Sequence, residues 1–243
     1  LSGLSGTYGT TTATTVIPST GAFTVEAWFY ASTGNSNNAN AVLISQGSTS
    51  SQRFQIKRDV NGQILVFRSG ATGEVGCNTA AAGEWHHVAV TYNGSGTTNC
   101  YLDGEYRSSM SGSTAISSTF VVGAFAPSLS AQDTTWIGKI DEVRVYSAVR
   151  SASDIASDLK TYGPTNTASL VAYYDFNEGS GSKVYNQKTN SSESTDLTFS
   201  SAPTWSDIKT TSNGATGSLV SFPRSYLNNT GGWTTPANVT TYD

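Results

Sequence analysis

The sequence predicts an all-β protein: two antiparallel sheets stacked as a jelly-roll sandwich, with one short helix. Three observations predict it. Phe23, Val25, Ala27 and Phe29 alternate with Thr24, Glu26, Trp28 and Tyr30, the period of two that separates the faces of a strand. A strand over Trp85–Tyr92, a Gly/Ser/Thr turn and a second strand over Cys100–Leu102 lead into a tight Asp103-Gly104 turn, a hairpin signal. Similar segments recur through the 243 residues, punctuated by Gly, Asn and Ser, as in sandwiches and jelly rolls.

After Phe23–Tyr30 the strand segments are Ala41–Ser45, Arg53–Arg58 and Gln63–Arg68, the last two joined by Asp59-Val60-Asn61-Gly62, where Asn-Gly favours a two-residue turn. Beyond Cys100–Leu102 come Phe120–Phe125 and Thr135–Tyr146, the latter interrupted at Gly138. A helix is expected next. Ser151 or Ser153 can cap it, Ile155 and Leu159 share a face, and Gly163-Pro164 ends it. Strands resume at Leu170–Phe176, Ser182–Tyr185 and Thr195–Phe199. The organisation expected is a sandwich over 1–207, with closing strands in about 168–200, and a Ser/Thr/Gly-rich extension over 208–243. That extension carries Phe222, Tyr226 and Trp233, too apolar for a plain linker.

Charged residues make up 12% of the chain, against roughly 25% in an average soluble domain. Ser, Thr, Gly and Asn take their place, a composition that fits an extracellular or virion surface. A net charge of −4 without a Lys/Arg cluster argues against nucleic acid, which needs a basic stripe to displace counterions. No apolar run approaches the ~20 residues that span a bilayer. The chain opens on Leu1 rather than Met, so processing or a longer parent chain is expected. Cys77 and Cys100 flank the Trp85 strand and are read as a disulfide tying neighbouring strands; two buried free thiols are the alternative.

The segments Phe23-Thr24-Val25-Glu26-Ala27-Trp28, Gly83-Glu84-Trp85-His86-His87-Val88-Ala89-Val90-Thr91-Tyr92, Tyr101-Leu102-Asp103-Gly104, Ile137-Gly138-Lys139-Ile140-Asp141-Glu142-Val143-Arg144-Val145-Tyr146, and Leu170-Val171-Ala172-Tyr173-Tyr174-Asp175-Phe176-Asn177-Glu178-Gly179-Ser180-Gly181 occur in this order. Together they resemble the laminin G-like, concanavalin A-like jelly-roll family of lectins and glucanases. The resemblance covers about residues 1–205. It implies the fold rather than a ligand, because the fold hosts many functions. The last of these segments opens or closes domains in the family, and none like it precedes Phe23; Leu1–Thr15 is a substitute for that role. An open sandwich would leave a strand edge seeking a partner. The terminal strands then close the sheet within the chain, insert into a neighbouring subunit, or continue a tandem array. Tyr173, Tyr174, Phe176, Phe222, Tyr226 and Trp233 are the assembly candidates.

No catalytic residues are expected. Ile140-Asp141-Glu142 resembles the glucanase strand, which needs two carboxyl groups on one face about 5–5.5 Å apart for retention. Here Asp141 and Glu142 point to opposite faces and Val143 stands where the second carboxylate belongs. His86 and His87, adjacent in a strand, also face opposite ways and cannot share a metal. No cofactor is expected beyond a structural calcium, which the resemblance implies, with Asp133, Asp141, Asp175 and Glu178 as oxygen donors. Asn186 departs from the family's acidic pattern near that turn. Trp28, Trp136, Trp205 and Trp233 are candidates for stacking on sugars, although Trp in a sandwich usually belongs to the core. Asn93, Asn190, Asn228 and Asn238 head N-x-S/T sequons. The function expected is a non-catalytic extracellular module for adhesion or assembly. The alternatives are a self-assembling subunit of a filament, sheath or virion using its terminal strands, and a lectin binding surface glycans. Expected partners are neighbouring subunits, surface glycans or proteins.

Overall fold

Alternating strands assemble into two stacked sheets in the structure, a computed structural model that describes residues 2–3, 7–13, 15–33, 40–49, 52–71, 73–112, 115–116, 118–125 and 135–205. The first sheet runs β1 (Ser2–Gly3), β12 (Gly138–Tyr146), β3 (Ala22–Ala31), β8 (Trp85–Asn93), β9 (Thr97–Leu102) and β10 (Glu105–Ser111), with β13 (Leu170–Tyr174) also on β12. The second runs β14 (Lys183–Val184), β15 (Leu197–Phe199), β2 (Gly9–Thr10), β11 (Phe120–Val122), β4 (Ala41–Thr49), β5 (Gln52–Arg58), β6 (Gln63–Arg68) and β7 (Glu74–Thr79). One helix, α1 (Ala152–Asp158), follows β12. Pairings within the sheets are antiparallel.

The inner faces supply the core, as the period of two requires. Phe23, Val25, Ala27 and Phe29 of β3 meet Val88 and Val90 of β8, and across the sandwich Ile44, Phe54, Ile56, Ile64, Val66, Phe120 and Val122. Phe23 and Phe54 join the two layers edge to face, with ring centroids 5.4 Å apart. Burying each such side chain is worth about 1.5–3 kcal/mol, so the interlocked inner rows hold the layers together.

Two strands were not expected from sequence. In β7 (Glu74–Thr79) and β10 (Glu105–Ser111) the pattern is mostly exposed or half-buried, because both are edge strands. Phe120–Phe125 shortens to β11, since Gly123 turns the chain at φ +90°. Within Thr135–Tyr146 the strand begins at Gly138. There φ is +150° and a Cβ would lie 1.9 Å from the Tyr30 carbonyl oxygen, so only glycine allows β12 to approach β3 this closely.

Cys77 and Cys100 form a disulfide with Cα atoms 5.6 Å apart. It does not link neighbours of one sheet: β7 belongs to the second sheet and β9 to the first, so the bridge staples the two layers. The helix is capped by Ser151, whose Oγ accepts the Asp154 N–H while Asp154 Oδ2 accepts the Ser151 N–H, a reciprocal capping box.

The closing strands are partnered within the chain. β13 pairs with β12, and β15 lies between β14 and β2. Leu1–Thr15 contributes β1, on β12, and β2, on β11 and β15. The outer edge of β13 is occupied as well. Asn186 Oδ1 accepts the Tyr173 N–H at 3.0 Å, its Nδ2 donates to the Val171 carbonyl at 3.4 Å, and the Gln187 N–H donates to the Tyr173 carbonyl at 2.8 Å. The carboxamide thus takes the place of a strand's peptide group. Tyr174 and Phe176, expected at an assembly surface, are core residues, with Tyr174 stacked on Phe120 at 6.1 Å. Tyr173 is half-buried, its hydroxyl donating to Glu142 Oε1 at 2.6 Å. Phe222, Tyr226 and Trp233 lie outside the described residues.

Candidate functional site

The outward rows of the first sheet run from buried positions under the helix to half-buried positions at the Lys139–Tyr30–Trp85 end. Arg144, Glu26 and Ala89 form one row, and Tyr146, Thr24 and Thr91 the next. Over both lies α1, whose Ile155 packs on Ala89 and Tyr101. Beneath it the polar groups are buried and knitted together. Arg144 donates to the Asp158 carbonyl at 2.9 Å, to Glu142 Oε2 at 2.5 Å and to the Thr161 carbonyl at 3.2 Å. Asp158 Oδ2 accepts from Tyr146 Oη at 2.9 Å and Arg150 Nη2 at 2.7 Å, while Oδ1 accepts from the Thr165 N–H and hydroxyl. Burial alone would raise the Asp158 carboxyl, but Thr165, Arg144 and Arg150 outweigh it and hold it below the usual carboxylate range. Removing one member of such a network strands the others unpaired, so these groups fix α1 to the sheet.

The paired histidines divide as the strand geometry requires. His87 faces outward, its Nε2 3.4 Å from Glu26 Oε2. His86 packs against the inward-facing Phe29, centroids 5.7 Å apart, with Nδ1 2.8 Å from Asp103 Oδ2. Asp103 Oδ1 also accepts the His87 N–H. The Asp103 carboxylate therefore anchors the Asp-Gly turn to β8.

Two further rows follow: Asp141–Trp28–His87, in which Trp28 and His87 are buried, and Lys139–Tyr30–Trp85, in which all three are half-buried. The rings of Tyr30 and Trp85 lie side by side with centroids 5.9 Å apart and planes 58° apart. Both are half-buried, with part of their surface in solvent. Lys139 Nζ stands 5.5 Å from the Tyr30 centroid, within cation–π range. Trp28 is buried under this platform against His87. At its margin Asp141 Oδ1 accepts the Glu142 N–H, where a bulge sets Glu142 at φ +51°. Burial first, then the nearby Glu142 and Asp175, push the Asp141 carboxyl up to about 8, so it keeps its proton at neutral pH. The platform thus offers two aromatic faces, an ammonium group and a neutral carboxyl that can both donate and accept.

Of the tryptophans considered for stacking, Trp28 and Trp136 are buried. Trp205 is half-buried and donates its Nε1–H to the Gly181 carbonyl at 3.1 Å. Trp233 lies outside the described residues. Tyr30 and Trp85 were not singled out by sequence. The available signal was the alternation that places Tyr30 on the same face as Trp28.

Three of the calcium candidates hold partners within the chain. Asp175 accepts from the Asn177 N–H and Nδ2 and from Gln187 Nε2. Glu178 Oε1 accepts the Tyr185 N–H, and Asp141 is engaged as above. Among the described residues no three His, Cys, Asp or Glu side chains are arranged to hold an ion; Asp133 lies outside them. Asp141 and Glu142 do not form a glucanase pair either, since Glu142 is clamped between Arg144 and Tyr173. No helix among the described residues is long and apolar enough to cross a membrane.

A family model described as the concanavalin A-like lectin/glucanases superfamily, of laminin G type, matches residues 4–156. That match ends within α1, before β13. No curated protein matches the chain. Among solved structures, the chain is similar to a Bacteroides ovatus ATCC 8483 protein whose description assigns it provisionally to carbohydrate binding. The TM-score is 0.60 at 18% identity, over 82% of this chain and 57% of that one. It is also similar to the native heptameric SAP-like pentraxin of Limulus polyphemus, with a TM-score of 0.51 at 16% identity, over 65% of this chain and 77% of that one. At these identities the likeness is one of fold.

Proposed function

From a chain that belongs to the concanavalin A-like lectin/glucanases superfamily, we propose a non-catalytic extracellular module that binds glycan on the Tyr30–Trp85 platform. One observation carries this reading: two part-exposed aromatic rings side by side on the outward face of a sheet, flanked by Lys139 and Asp141. A pyranose presents an apolar C–H face to such rings and directs its hydroxyls outward to polar neighbours. Two part-exposed rings offer a small contact area, so single-site affinity is modest and adhesion to a surface comes from several copies acting together. The fully buried inter-sheet disulfide supports an oxidising compartment. Strand donation is no part of this reading, because β13 and β15 already have partners in the chain.

The test is a broad glycan array followed by titration of the best ligand against wild type and Trp85→Ala. The substitution is expected to weaken binding about tenfold or more, a loss near 1.4 kcal/mol, with an unchanged melting temperature. Unaltered binding would place the ligand elsewhere on the fold.

A further inference from the structure

Several basic side chains of the sandwich are paired with carboxylates. Lys57 pairs with Glu74, Arg107 with Glu105, Arg144 with Glu142, Arg150 with Asp158 and Lys183 with Asp196. Lys139 has no carboxylate within ion-pair distance among the described residues and lies half-buried on the Tyr30 ring. The β12–β3 register, pairing Lys139 with Tyr30, sets its root, and the ring steadies its ammonium group. It is thus a pre-placed cation at the edge of a stacking surface, in a chain whose net charge is −4.

We propose that the platform selects acidic glycans, taking a sugar that carries a carboxylate or a sulfate and placing that anion on the Lys139 ammonium group. This inference rests on the platform being the binding site. The sugar ring lies on Tyr30 and Trp85 and its anionic substituent reaches past the ring edge to Lys139. Three of the acids near the platform do little to oppose an anion, whereas Glu84, next to Trp85 in the chain, is exposed. Glu142 is neutralised by Arg144 and held by Tyr173. Glu26 lies beneath the helix cover beside His87 and across from Arg144. Asp141 retains its proton at neutral pH and can donate to the anion or to a hydroxyl. An ammonium–anion contact in a half-buried, aromatic-lined position is stronger than one in open solvent, because water screens it less.

The experiment compares matched oligosaccharides that differ only in one substituent: a neutral form, a carboxylated form and a sulfated form. Each is titrated against wild type, Lys139→Gln and Trp85→Ala, with melting temperatures confirming that the variants fold. The wild type is expected to prefer an acidic form about tenfold or more over the neutral one, and about tenfold more salt should erode that preference. In Lys139→Gln the acidic forms are expected to lose about tenfold more affinity than the neutral form does, so that the preference disappears. The carboxylated and sulfated arms identify which anion is read. Equal binding of neutral and acidic forms by wild type, or a preference that survives Lys139→Gln, overturns the acidic selection. In either case a loss in Trp85→Ala would leave the platform standing. Binding untouched by Trp85→Ala overturns the platform and this inference together.

Discussion

Removing the Cys77–Cys100 bridge tests how the sandwich is held shut. The bridge closes a loop of sequence separation 23. With that loop length the chain-entropy relation gives about 3.4 kcal/mol at 25 °C. Both residues are fully buried in the core, so a Cys77→Ala/Cys100→Ala double variant also leaves a small void, adding on the order of 1 kcal/mol. The native contacts between these edges survive, since Ser108 Oγ still donates to the Gly76 carbonyl at 2.5 Å. The loss therefore falls chiefly on the unfolded chain, which becomes freer. A domain of this size should lose roughly 7–14 °C in melting temperature from the entropic part alone. Urea unfolding followed by tryptophan fluorescence measures it, and the variant should show a lower midpoint and a steeper dependence on urea, because an uncrosslinked chain exposes more surface. A midpoint shift equivalent to less than about 1 kcal/mol, with an unchanged slope, would refute the reasoning.

Two further outcomes follow from named atoms. Gly138→Ala would drive a Cβ into the Tyr30 carbonyl and separate β12 from β3 where the platform begins. A loss of more than about 3 kcal/mol, or failure to fold, is expected in expression and thermal melts; wild-type stability would show that this close approach is not required. Asp141, raised to about 8 when folded, contributes fully only below its unfolded value near 4. Stability should fall by up to about 1.4 kcal/mol per pH unit as pH rises from about 4 to 8, then level off. Asp141→Asn should remove that slope in urea titrations across pH; an unchanged slope would assign it to other carboxyls.

The inner face of β3 is readable from sequence because its four apolar residues repeat every second position, and the same rule separates His86 from His87. Edge strand β10 is not readable, since its pattern carries no buried stripe, and β7 is hidden because only Val75 and Cys77 of its residues face the core. A guanidinium inside the sandwich is equally hidden: Arg68 is buried with its Cζ 3.6 Å from the Tyr92 ring centroid, although at the end of a strand an arginine reads as solvent-facing. The cysteine spacing could suggest a bond but not that it crosses between layers, which depends on the second sheet folding over the first. The platform was half legible. Alternation places Tyr30 beside Trp28, but Trp85 joins it only through the β3–β8 register, a contact between residues far apart in sequence.

Asn186 has a consequence for crowding. A sandwich whose last ribbon exposed bare peptide groups would tend to zipper onto any identical molecule beside it. Here one carboxamide and the following amide fill that margin from inside the molecule. Copies of this chain can then stand shoulder to shoulder without fusing along this seam, leaving the Tyr30–Trp85 face of each unaffected.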